Sequence, residues 1–108
     1  MEFAELQKRA LEIRAKYAEL EKHEGTQEWG NRDLVQGFVG DVGDLIKLTM
    51  AKDGLCEIAD VDKKLQHELS DCLWSILVIA DKYNVDIERS FFKTMSELEE
   101  KINSKTIS

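Results

Sequence analysis

The side chains with the most chemistry to offer are four carboxylates in two doublets. Asp41 and Asp44 lie in Gly37-Phe-Val-Gly-Asp-Val-Gly-Asp-Leu45, and Glu68 and Asp71 in His67-Glu-Leu-Ser-Asp-Cys-Leu-Trp74. Each doublet has i, i+3 spacing, which on a helix puts both carboxylates on one face about one turn apart. Both border apolar runs, where an ionised group is costly without compensation. If the two segments face each other, four negative charges converge on a small volume. The compensation that suits them is a hard divalent cation taking oxygen ligands, Mg2+ first and Mn2+ as the alternative. All four residues are therefore candidate metal ligands. They are also candidate catalytic groups, because a carboxylate at such a site can accept a proton from an attacking water.

The elements that must position these groups follow from periodicity. Phe3, Leu6, Ala10, Ile13, Tyr17 and Leu20 repeat at steps of three and four with charge between them, predicting an amphipathic helix over 3–23. Lys22 and His23 suit its last turn, and Gly25 follows as a stop. The stretch 25–31 reads as a loop, with Asn31 a candidate cap for a helix over 32–52. There Leu34, Val35, Phe38, Val42, Leu45 and Ile46 make a broad apolar face, with Asp41 at its rim and Asp44 about 60° further round. Gly37, Gly40 and Gly43 line the adjacent strip, each costing roughly 1 kcal/mol against alanine. Close approach of a neighbour or room for a ligand would offset that cost.

A third helix is predicted over 61–83, with Leu65, Leu69, Cys72, Ile76, Ile79 and Tyr83 periodic and Glu68 beside them. From Cys72 to Ala80 every residue but Ser75 is apolar, so this helix needs cover on all sides. Trp74, opposite the main stripe, is expected to meet another subunit. After a turn at Asn84-Val-Asp86, with Asp86 as cap, a fourth helix over 87–102 carries Ile87, Phe91, Met95, Leu98 and Ile102. The tail from Asn103 to Ser108 is expected to fray. The sum is an all-α, compact antiparallel four-helix bundle in one domain spanning 1–108, expected to be oligomeric.

Composition agrees and narrows the function. The 108 residues include no proline and only six glycines, which favours helix throughout. A net charge of −7 leaves no basic surplus to displace counterions from a nucleic-acid backbone, so no nucleic-acid partner is expected. An acidic protein that handles phosphates needs a metal to bridge the like charges. Cys56 and Cys72 form no metal or redox motif, and Cys72 reads as a small core residue. No apolar run is long enough to span a bilayer, so no membrane association and a cytoplasmic location are expected.

Gly40-Asp-Val-Gly-Asp-Leu45 followed by His67-Glu-Leu-Ser-Asp-Cys-Leu-Trp74 resembles the paired ExxE and ExxD motifs of MazG-like nucleotide pyrophosphohydrolases, of the all-α NTP pyrophosphatase superfamily. The interval between the doublets suits that family, and the likeness runs over about 30–102, including the Tyr83–Ile87 turn. The resemblance implies Asp41, Asp44, Glu68 and Asp71 as magnesium ligands. It also implies hydrolysis of a nucleoside triphosphate between the α and β phosphates, and a homodimer or homotetramer. Two departures stand out. Asp41 and Asp44 replace the family's usual Glu, one methylene shorter, so the helices must sit closer or a water must intervene. The last helix reads Met95-Ser-Glu-Leu-Glu-Glu100 where related enzymes often carry Asn and basic residues that reach the phosphates.

Lys47 and Lys93 are candidate phosphate partners, each with a solvated surface role as the plainer reading. Trp29 is a candidate base-stacking residue or a staple for its loop. His23 and His67 read as surface residues. Two rival functions stay open beside the hydrolase: a family member that binds nucleotide or protein without turnover, and a structural helical oligomer whose acidic pairs face solvent.

Overall fold

The absence of proline and the confinement of helix-ending signals to three short stretches give four helices. These are α1 (Phe3–His23), α2 (Asn31–Lys52), α3 (Val61–Lys82) and α4 (Ile87–Thr106). The structure, a computed structural model, describes residues 2–106. The predicted bounds hold within a residue except at the C-terminus. There the helix continues through 103–106 instead of fraying, and residues 107–108 lie outside the described part.

The caps explain the boundaries. Gly30, not Asn31, occupies the position before α2, and its N–H donates to the Asp33 carboxylate at 3.0 Å. Gly25 and Gly54 take φ of 71° and 83° after α1 and α2, left-handed values that cost glycine least. Asn84 at φ 57° ends α3, and the Val85 N–H reaches back to the Ala80 carbonyl at 2.8 Å. Asp86 then caps α4, its carboxylate accepting the Arg89 N–H at 3.1 Å.

Packing is uneven. α2 lies against α3 along most of their length, and α1 docks on α3. The core is small, consisting of Ala10, Leu34, Leu48, Cys72, Leu77, Ala80 and a fully enclosed Val78. The face of α3 that carries Trp74 is covered in part from within the chain, and Trp74 stays half-buried. Trp74 Nε1–H donates to the Ala10 carbonyl at 3.0 Å, and its ring lies 6.0 Å from that of Tyr17.

The expectation of a compact four-helix bundle is corrected by α4, which makes only marginal contact with the other helices. The radius of gyration is 17.5 Å, against about 13 Å for a compact chain of this length. The physical reason is local. The hydrogen-bonded turn at Asn84–Asp86 directs α4 away, leaving Phe91, Phe92, Met95 and Leu98 exposed.

Candidate functional site

The pairing of α2 with α3 brings the two acidic doublets together. Among the described residues, Asp41, Asp44 and Glu68 form a group whose carboxylate oxygens lie within 4.8 Å of one another. Asp44 is exposed and Asp41 half-buried. Glu68 reaches furthest in, and its Oε1 is sealed from solvent without a hydrogen-bond partner. A sealed, unpartnered carboxylate oxygen beside two further carboxylates is an expensive arrangement that a cation would relieve. The donor set is oxygen only, which selects a hard divalent ion. Mg2+ bonds near 2.1 Å require ligand oxygens within about 4.2 Å, so a small side-chain adjustment or one bridging water completes the fit.

Electrostatics records the crowding. Burial, then the charges of Asp71 and Asp44, raise the Asp41 pKa above its ordinary value. Burial, then Asp41, Asp44 and Asp71 in turn, raises that of Glu68. The thiol of Cys72, buried one turn beyond Glu68, is pushed up by burial and by the same carboxylates. It serves as core, as expected.

Asp71, the fourth predicted ligand, stands outside the converging three and accepts an ion-pair contact from His67 Nε2 at 3.2 Å. Its charge is still felt by Asp41 and Glu68. His67, read as a plain surface residue, borders clefts on both sides of the cluster.

The first cleft, between α1, the 24–30 loop and α3, is lined by Tyr17, Trp29 and Trp74 and opens on Asp41 and Asp71. Trp29 is held there by a buried pair that no sequence motif announced. Arg14 donates to Glu21 at 3.3 Å and to the Trp29 carbonyl at 3.2 Å, and the Trp29 N–H donates to Glu21 at 3.2 Å. Its indole lies on α2 where Gly37 leaves room: a β-carbon at Gly37 would come within 2.8 Å of the ring. Trp29 therefore staples its loop and also walls the cleft. Gly40 and Gly43 have open space beside them.

The second cleft is lined by Lys47, Lys63, Lys64 and Ile58 and opens on Asp44 and Glu68. Lys47 was a candidate; Lys63 and Lys64, in the first turn of α3, join it only in the structure. Lys93 is on α4 and lines neither cleft, so the single chain does not bring it to the other candidates. No helix among the described residues is long and apolar enough to cross a membrane. No family model, curated protein or solved structure matches this chain.

Proposed function

We propose that the chain is a Mg2+-dependent nucleotide pyrophosphohydrolase, cleaving a nucleoside or deoxynucleoside triphosphate between the α and β phosphates. The observation that carries this reading is the convergence of Asp41, Asp44 and Glu68, with the sealed Glu68 oxygen, on a site bordered by open clefts. Mg2+, when bound there, supplies charge neutralisation for phosphate oxygens and acidifies an attacking water. The carboxylates would hold the ion, and one of them not bound to it would accept the water's proton. The water oxygen bonds to the α phosphorus, and the bridging oxygen departs with its electron pair on pyrophosphate. Asp71, anchored to His67, adds negative potential to the site and becomes a further ligand if it turns from His67.

The test is pyrophosphate release from a panel of triphosphates with Mg2+ or Mn2+. Turnover that chelation with EDTA abolishes is the expected result. Nucleotide binding without pyrophosphate would make the chain a binding module, and absence of metal binding at millimolar levels would leave only a structural helical protein.

We also propose that the working form is a homo-oligomer built on an antiparallel α2–α3 pair. The register of contacts supports that direction: Lys52 pairs with Asp62 at 2.6 Å, and Asp44 and Asp41, earlier in α2, lie with Glu68, later in α3. α2 carries a second apolar stripe, Val35, Val39, Ile46 and Met50, and α3 carries Leu69, Leu73 and Ile76 on exposed positions. With the exposed α4 residues, this is more apolar surface than a monomer of this size normally leaves in water. A second copy of the chain, offering the same surface, is the occupant that closes it as a dimer. Sedimentation should give a dimer or tetramer, and Phe91→Glu with Leu98→Glu should give a monomer with a lower Tm. A wild-type monomer at micromolar concentration would end this proposal.

A further inference from the structure

We infer that a nucleotide lies across the acidic cluster in one direction, its base in the aromatic cleft and its β and γ phosphates in the lysine cleft. This inference rests on the hydrolase reading for its substrate but stands on separate features of the chain. The two clefts are chemically opposite. One offers Tyr17, Trp29 and Trp74, flat apolar rings suited to stacking on a heteroaromatic base. The other offers Lys47, Lys63 and Lys64, and none of these makes an ion pair among the described residues. Asp44, Asp60 and Glu68 line the same cleft, so in a chain of net charge −7 the three lysines bring it to local neutrality. An anion seated on these lysines must be one compatible with the carboxylates beside them. A metal-bridged polyphosphate satisfies that condition.

Position fixes the direction. The aromatic cleft reaches the cluster at Asp41 and Asp71, the lysine cleft reaches it at Asp44 and Glu68, and His67 borders both. A base stacked at Trp29 therefore leads its phosphate chain past the carboxylates before it meets the lysines. The α phosphate then sits at the cluster, and the leaving pyrophosphate sits among three positive charges. This supplies from α2 and α3 the basic groups that the acidic last helix lacks.

Both tryptophans of the chain line the aromatic cleft, so their fluorescence reports its occupancy directly. Two probes are titrated into the full chain: nucleosides without metal, read by tryptophan quenching, and Mg2+-pyrophosphate, read by calorimetry. Nucleoside quenching is expected in wild type and in Lys63→Gln/Lys64→Gln alike, while that double variant binds Mg2+-pyrophosphate at least tenfold more weakly. Trp29→Ala should do the reverse, losing nucleoside affinity at least fivefold and keeping pyrophosphate affinity. Equal weakening of both probes by either variant, or no change in either, overturns the inference. Split binding without turnover keeps the direction and defeats the hydrolase. Turnover that is indifferent to both lysines keeps the hydrolase and defeats the direction.

Discussion

Glu68→Gln is expected to abolish pyrophosphate release by about three orders of magnitude or more and, at neutral pH, to raise the Tm of the metal-free protein. The first effect follows from removing the most enclosed ligand of the cluster. The second follows from its cost. Burial and three neighbouring carboxylates raise the Glu68 pKa, and burial with Asp71 and Asp44 raises that of Asp41, so the folded chain holds protons that the unfolded chain releases. Groups with folded values above their unfolded ones contribute stability that is fully present below the ordinary carboxylate range. That contribution is lost as pH rises through the elevated folded values. The metal-free wild type should therefore lose Tm between mildly acidic and neutral pH, Glu68→Gln should lose less, and Mg2+ should restore the wild type alone. Thermal melts at three pH values, with EDTA or Mg2+, check all three statements. A lower Tm for metal-free Glu68→Gln would make the carboxylate a structural group.

The second large effect is expected at Arg14, whose side chain and that of Glu21 are 7% and 15% exposed. Arg14→Leu leaves Glu21 poorly solvated and without its cation, a loss of about 3–5 kcal/mol. In a domain of this size that lowers Tm by more than about 12 °C. The Trp29 backbone loses one of its two anchors as well, so nucleoside quenching should weaken in the protein that remains folded. The double variant Arg14→Leu/Glu21→Leu should recover more than half of the lost Tm, because an apolar pair of similar bulk leaves no stranded charge. A single variant that melts within 2–3 °C of wild type, about half a kilocalorie, would show the pair to be dispensable.

Both effects bear on what the sequence could disclose. The helices and the meeting of the acidic doublets were legible because i, i+3 spacing and apolar periodicity are properties of one helix, fixed before anything packs on it. Asp71 was harder: its spacing from Glu68 is right, but His67 one turn earlier competes for it. Arg14 stands between Ile13 and Tyr17 in a pattern indistinguishable from surface charge. Only the docking of α1 on α3, with the loop folded back, encloses it. Lys63 and Lys64 become part of a cleft only because the 53–60 connection places Ile58 opposite them. The direction of α4 was likewise invisible, since an amphipathic stripe shows that a face wants cover but does not name what covers it.

The indole of Trp29 seated on the bare turn at Gly37 makes those two positions a single heritable unit. Any side chain at 37 evicts the ring, while loss of the ring removes the reason to forgo a better helix former there. A side chain introduced at 37 is therefore expected to be tolerated best in company with a smaller residue at 29.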